Sequence, residues 1–442
     1  MGLRFGTDGV RGVANTELTP EFALALGRAA AEVIPGDRIV VGRDTRRSGL
    51  LIESGLAAGF ASAGVEVERL GVVPTPAVAY VAQREGVAGA MISASHNPFP
   101  DNGIKLFGPG GRKLDDGVEE RIEQALAAPA GFRPVAEAVG TLVDRPDEVG
   151  AYADHLVGVL AGRELRGLRI AVDCANGAAW ALGPHVFERV GADVTAVGNQ
   201  PDGANINASC GATHPTALAQ LVAGGGFDLG IAFDGDADRC IAVDATGTIV
   251  DGDHIIAICA LDLRARDALV HDTVVVTVMT NLGFRQAMDR RGITVVETAV
   301  GDRYVLEAIE AGGHVLGGEQ SGHVIFRDHA TTGDGILTGL VLADIVHRAG
   351  RPLAELADAA MTRLPQVLVN LRVEGSAADA VQAAMPSVQA AEAELGTRGR
   401  VLVRASGTEP LVRVMVEAPT EEEAGKVAEA LASAVRIGKT PG

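Results

Sequence analysis

The chain has 442 residues, of which 47% are hydrophobic and 21% charged, a composition that excludes a disordered polymer and leads us to expect several domains with large cores. Lys and Arg number 38 against 57 Asp and Glu, a formal net charge of −19, and aromatic residues make up only 3%. That field repels nucleic acid and anionic membranes and offers few platforms for stacking bases, so neither is an expected partner, and an anionic ligand needs a local cationic site.

The opening residues Met1 to Asp8 lack the apolar run of a signal peptide. No uncharged apolar stretch approaches the roughly 18 residues of a membrane span. The best candidate, 335–346, is broken by Asp344. Cys174, Cys210, Cys240 and Cys259 are widely spaced, with no C-x-x-C pair, and read as buried reduced thiols of a cytoplasmic protein.

In chain order, 38–42 reads as a strand, 48–63 as a helix, 65–70 as a strand, 77–84 as a helix and 88–93 as a strand. The alternation resumes with a strand at 168–173, a helix at 179–190 and a strand at 228–233, and again with strands at 273–278, 294–297 and 315–316. Such alternation predicts parallel sheets with crossover helices, the α/β class, in three similar blocks. After Pro365 the order becomes strand, long helix at 377–395, strands at 401–404 and 411–417, and helix at 421–435, which suits a small antiparallel α+β domain. Turn-rich stretches set the expected boundaries at 1–146, 147–250, 251–365 and 366–442.

Five loops carry chemistry. Ile92-Ser93-Ala94-Ser95-His96-Asn97-Pro98 follows a predicted strand and places Ser95 in a loop read as exposed. Ser95 is there a hydrolase nucleophile with His96 as base, a capping residue of a polar turn, or a carrier of a phosphoryl group, with Lys105 close enough in sequence to neutralise phosphate oxygens. Phe233-Asp234-Gly235-Asp236-Ala237-Asp238-Arg239 sets three carboxylates at i, i+2 and i+4 after an apolar strand. They are able to converge on one hard cation such as Mg²⁺. A calcium EF-hand is excluded, because Arg239 and Ala245 stand where its glycine and glutamate belong. In Gly317-Gly318-Glu319-Gln320-Ser321-Gly322-His323, Glu319 and Ser321 suit vicinal sugar hydroxyls and His323 suits a proton shuttle. Arg404-Ala405-Ser406-Gly407-Thr408-Glu409-Pro410-Leu411-Val412-Arg413 joins two predicted strands and has the hydroxyls, glycine and flanking arginines of a phosphate cradle. Arg4 and Arg11 in the opening segment, and Gly301-Asp302-Arg303, pair small residues with arginine. Neither G-x-G-x-x-G, Walker A nor H-E-x-x-H occurs.

From R-F-G-T-D-G-V-R-G at the start to R-A-S-G-T-E-P-L-V-R-V near the end, these motifs in this order closely resemble the α-D-phosphohexomutases. The resemblance implies four domains around a central cleft, three mixed α/β and a smaller C-terminal α+β. It implies a phosphoserine at Ser95 whose phosphate binds one Mg²⁺ together with Asp234, Asp236 and Asp238. Ser95, Lys105, Arg239 and His323 would form the catalytic set. Arg4, Arg11, His96, Asp302, Arg303, Glu319, Ser321, Arg404, Ser406, Gly407, Thr408 and Arg413 would contact substrate. By this resemblance, phosphorylated Ser95 gives its phosphoryl group to O1 of a 6-phosphosugar, the 1,6-bisphosphate turns over, and the 6-phosphate returns to Ser95. Gln320, where hexose-phosphate relatives typically carry Met, and the S-A-S-H-N-P form of the serine loop are similar to the branch acting on glucosamine phosphates. The expected partners are a hexosamine phosphate and a second copy of the chain in a homodimer. A glucose or mannose phosphate mutase of the same family, a silent sugar-phosphate binder and a metal-dependent phosphatase are the alternatives.

Overall fold

The computed structural model of the chain describes residues 3–6, 8–128, 131, 133–405 and 411–437. Its contacts form two compact units, one of Met1–Met279 with Ile293–Ala360, the other of Thr280–Gly292 with Met361–Gly442.

Three sheets follow one another along the larger unit. The first runs in spatial order Val10–Val13, Asp101–Gly108, Ala88–Ile92, Arg38–Arg43, Glu66–Val72 and Leu142–Asp144, with Arg112–Lys113 paired to Asp101–Gly108. The second runs Ile249–Val250, Cys240–Asp244, Leu229–Phe233, Arg169–Asp173, Asp193–Val197. The third runs Thr294–Thr298, Thr273–Thr277, Leu316–Gly318, Val324–Phe326. The sheets are mixed, which corrects the expectation of purely parallel pairing. Ala88–Ile92, Leu229–Phe233 and Leu316–Gly318 each pair in parallel on one side and antiparallel on the other, with Asp101–Gly108, Cys240–Asp244 and Val324–Phe326. The connections 93–100, 234–239 and 319–323 explain why. Each is shorter than the dozen or so residues a parallel crossover needs, so the chain has to turn straight back. These three connections are the loops read above as bearing serine, metal and sugar chemistry. The strands beside them are apolar and wholly buried, as Ala88–Ile92 and Leu229–Phe233 are along their full length, so each loop springs from a rigid edge.

Among the described residues no helix is long and apolar enough to cross a membrane. The apolar stretch noted in the sequence forms the buried helix Gly335–Ala349, capped by Asp334, whose Oδ1 accepts from Leu337 N at 2.9 Å. Its Asp344 pairs with Arg163 at 3.0 Å and Arg348 at 2.9 Å. All four cysteines are free, and Cys210 is partly exposed where the sequence suggested burial.

The smaller unit is α+β. Its antiparallel sheet runs Gln366–Arg372, Leu411–Glu417, Arg400–Ala405, with the helices Ala377–Leu395 and Glu421–Ile437 packed on it. The helix Leu282–Arg290, from between two strands of the third sheet, also belongs here. Asn281 caps it and reaches further: Oδ1 accepts from Gly283 N and Leu364 N, and Nδ2 donates to Leu364 O and Glu417 Oε1.

Candidate active site

Ser95 sits in the loop after Ala88–Ile92 with φ 51°, in the left-handed region. It is buried, 0% exposed, which corrects the sequence expectation of an exposed serine. The cause is that every polar group of the residue is engaged. Ser95 N donates to Ser93 Oγ at 2.9 Å, and its carbonyl accepts from Arg46 Nη2 and Asn207 Nδ2, each at 2.9 Å. Its hydroxyl donates to Asp234 Oδ2 at 2.5 Å, joining the serine loop of the first sheet to the aspartate loop of the second. Gly235 makes this approach possible, since a Cβ there would stand 2.4 Å from Ser95 O. His96 Nδ1 lies 3.3 Å from Ser95 Oγ, but burial and then the charges of Arg239 and Arg11 pull its pKa down to about 4. His96 is therefore neutral at pH 7 and a weak base.

Asp234, Asp236 and Asp238 are buried, and one oxygen from each lies within 4.8 Å of the others. Burial, Asp238 and Asp236 push the Asp234 carboxyl well above the usual carboxylate range. Burial acts the same way on Asp238, yet Lys105, His323 and Arg239 hold that group well below the range. Asp236 Oδ1 and Asp238 Oδ1 are buried with no hydrogen-bond partner among the described residues. Crowded, desolvated carboxylates with orphaned oxygens are what a divalent cation satisfies, so the residues fit Mg²⁺. The remaining oxygens are already occupied. Thr75 Oγ1 donates to Asp236 Oδ2 at 2.6 Å, and Lys105 Nζ lies 2.8 Å from the same oxygen and 3.3 Å from Asp238 Oδ2 and from Asp8 Oδ2. Lys105 projects from the strand Asp101–Gly108, not from a loop. Burial disfavours its charge, but Asp236, Asp8 and Asp238 raise its pKa well above that of a free lysine.

Above these groups opens a cleft of about 450 Å³, walled by Arg4, Asp8, Arg11, His96, Asp238, Arg239, Asp302, Glu319 and His323. Lys113 ties two of its walls together, pairing with Asp8 at 2.6 Å and with Asp302. Glu319 accepts from Gly301 N at 3.2 Å and from Ser321 Oγ at 3.3 Å, so Ser321 acts behind the wall. His323 lies between Asp238, 3.7 Å from Nδ1, and Asp302, 3.5 Å from Nε2. Burial opposes its charge, while Asp238 and Asp302 raise its pKa above the usual histidine value. Gly333 N donates to Nε2 at 3.0 Å, which assigns the proton of the neutral ring to Nδ1, facing Asp238.

The structure does not bring every expected residue here. Arg303 turns to Asp116 at 2.5 Å, Glu119 at 3.5 Å and Leu114 O at 3.2 Å, all outside the cleft wall. Arg404 and Arg413 belong to the smaller unit, directly opposite one another on neighbouring strands. Burial and Arg413 lower the Arg404 pKa, and Arg413 Nε is buried without a partner among the described residues. Two guanidinium groups on directly opposed strand positions suit an anion. Ser406, Gly407 and Thr408 lie outside the described residues. Sequence reading missed Asp8, Asp44, Arg46, Thr75, Lys113 and Asn207. The one available signal was Asp44-Thr45-Arg46, opposite charges just after the strand predicted at 38–42, which the structure extends to Arg43.

Four domain models match in succession: Phosphoglucomutase/phosphomannomutase alpha/beta/alpha domain I at 2–130, domain II at 150–247, domain III at 251–364 and the C-terminal domain at 368–434. The phosphoglucosamine mutase of Frankia alni is 57% identical over 450 residues, covering 99% of this chain and 98% of that protein. A phosphoglucomutase/phosphomannomutase family protein of Burkholderia thailandensis shares the fold, with a TM-score of 0.83 at 24% identity over 99% of this chain and 98% of that one. So does the N-acetylphosphoglucosamine mutase of Aspergillus fumigatus, solved with GlcNAc-6P and magnesium, at TM-score 0.72 and 20% identity over 100% and 96% of the two chains.

Proposed function

The chain belongs to the α-D-phosphohexomutase family, and from that premise we infer that it is an isomerase moving a phosphoryl group between O6 and O1 of glucosamine phosphate, as its 57% identical relative does by name. The observation that carries the reading is the convergence of Ser95 Oγ on Asp234, 2.5 Å apart, beside two further buried carboxylates. A nucleophile that will bear a phosphoryl group needs a cation site at its side, and a mere binder needs neither.

Ser95 carries the transferred group. In one half-reaction the sugar O1 attacks phosphorus, the bond to Ser95 Oγ breaks, and a 1,6-bisphosphate forms. In the other, Ser95 Oγ attacks the 6-phosphoryl group and O6 leaves. The carboxylates of Asp234, Asp236 and Asp238, with the Ser95 phosphate, would hold Mg²⁺, which supplies charge neutralisation to the moving phosphoryl group. Lys105, fixed as a cation by three carboxylates, neutralises non-bridging oxygens. His323, with its proton shared toward Asp238, and Arg239 complete the set that manages charge as the attacking hydroxyl loses its proton. Glu319 takes the sugar hydroxyls, with Ser321 holding its carboxylate, while Arg4, Arg11, His96 and Asp302 wall the sugar. Arg404, Ser406, Gly407, Thr408 and Arg413 receive the distal phosphate. The divisions 1–146, 147–250, 251–365 and 366–442, a homodimer and a cytoplasmic location belong to the same reading, as does the lack of nucleic-acid or membrane partners, which the acidic composition supports.

Ser95→Ala decides it. The variant should fold and lose essentially all conversion of glucosamine 6-phosphate, and mass spectrometry of the unaltered chain should find phosphate on Ser95. Turnover within tenfold of the unaltered chain would overturn the assignment.

A further inference from the structure

We infer that the buried Asp44–Arg46 ion pair, acting with Ser93, is a positioning clamp that sets the backbone of Ser95 for in-line transfer; the inference rests on the mutase reading above. Ser95 has φ 51°, a conformation a non-glycine residue keeps only where its surroundings impose it. One charge pair grips both peptide groups that flank it. On the N-terminal side, Ser95 N donates to Ser93 Oγ at 2.9 Å, and Ser93 Oγ donates to Asp44 Oδ2 at 2.5 Å. On the C-terminal side, Arg46 Nη2 donates to Ser95 O at 2.9 Å and Asn97 O at 2.7 Å. Its Nη1 donates to Pro98 O at 2.6 Å and Asp101 O at 3.1 Å. Asp44 closes the circuit, with Oδ1 accepting from Arg46 N and Oδ2 from Arg46 Nε, both at 2.9 Å.

Neither charged side chain has any exposed surface, and neither walls the cleft. Their role is therefore not contact with substrate. Stability alone is a poor reason for the pair, since apolar residues of similar volume commonly replace a buried ion pair at no loss. What apolar packing cannot do is hold four carbonyl groups in fixed directions, which the planar guanidinium fork does here and a lysine ammonium would not. The demand comes from the chemistry. Ser95 Oγ has to meet O1 in one half-reaction and O6 in the other along the same line, and phosphoryl transfer depends chiefly on such alignment.

The test compares Ser93→Ala, Arg46→Lys and Arg46→Ala with the unaltered chain, all saturated with Mg²⁺. In Ser93→Ala, kcat should fall at least tenfold with KM for glucosamine 6-phosphate within twofold, and phosphorylation of Ser95 by the 1,6-bisphosphate should slow equally. Arg46→Lys should lose about 100-fold in kcat, and methylguanidine should restore part of the Arg46→Ala loss. The clamp is overturned if folded Ser93→Ala turns over within twofold of the unaltered chain, or if its loss lies in KM alone. Where the Arg46 variants do not fold, Ser93→Ala decides, because it removes one hydroxyl and leaves the charge pair intact. An unaltered chain that neither isomerises the sugar phosphate nor carries phosphate on Ser95 would overturn the mutase reading itself, a result separate from the behaviour of the variants.

Discussion

The three aspartates share one loop but not one role. Asp234 faces the serine hydroxyl, Asp238 faces Lys105 and His323, and Asp236 shares Lys105 while accepting from Thr75. Asp236→Asn should weaken Mg²⁺ at least tenfold in an activity titration and lower kcat by two orders of magnitude or more, because a neutral amide replaces one of three anionic ligands. Circular dichroism of that variant, and of the unaltered chain with a chelator, should show the native fold, since the sheets bury their apolar strands without help from the ion. Unfolding by chelator would make the metal structural and sink this prediction. Arg413→Ala removes a charge-assisted hydrogen bond to the distal phosphate, worth about 1.5–3 kcal/mol, so KM should rise roughly 10- to 100-fold while Ser95 phosphate persists. An unchanged KM with lost serine phosphate would reverse the roles given to these groups. Ser95 and the three aspartates were legible in the sequence because each motif, the serine in S-A-S-H-N-P and the aspartates at i, i+2 and i+4, is written within one short loop of its own. Asp8 and Lys113 were not, because their meaning lies in partners distant along the chain, as Lys113 is from both Asp8 and Asp302.

Many strands and helices of the alternating blocks were readable from apolar runs; the half-exposed Asp193–Val197 was not, and neither was the strand that returns after each reactive loop. Asp101–Gly108 carries Asp101, Asn102 and Lys105 among its apolar residues, and polar groups following a loop rich in Pro and Asn look like more loop. Only pairing with Ala88–Ile92 and Val10–Val13 makes it a strand, and pairing is not written locally. The helix Gly335–Ala349 shows a cap working under strain of another kind. Burial pushes the Asp334 carboxyl up to about 6, against the Leu337 N–H and the Tyr152 hydroxyl, which donates to it at 2.7 Å. A folded pKa above the unfolded one means that the folded chain binds the extra proton, so the contribution is complete below about pH 4 and is lost as pH rises through 6. Asp334→Asn should remove that slope. The stability of the unaltered chain relative to the variant, from urea unfolding, should fall by about 2 kcal/mol between pH 4 and 7. A difference that stays constant over the range would show that burial is not what governs this carboxyl.

At the scale of the molecule, each compact unit is built from chain segments separated in sequence, which no local pattern announces. The C-terminal block read as 366–442 contains a helix from Thr280–Gly292, and Asn281 there satisfies Leu364 and Glu417. Asn281→Ala should therefore loosen that unit by about 1–3 kcal/mol per polar group left unpaired. Amide exchange should quicken in Leu411–Glu417 and stay unchanged in Ala88–Ile92; equal acceleration in both would mean that the molecule unfolds as one body. The larger unit repeats one device three times: a buried strand, a short reactive turn, and a strand running back. Such repetition separates heritable tasks. A substitution at Glu319 or Ser321 alters what is gripped while the nucleophile at 93–100 and the cation loop at 234–239 stay anchored in their own sheets; His323 is the exception, because it reaches across to Asp238. A lineage of such chains is free to change the sugar it grips while inheriting its serine and its aspartates unaltered.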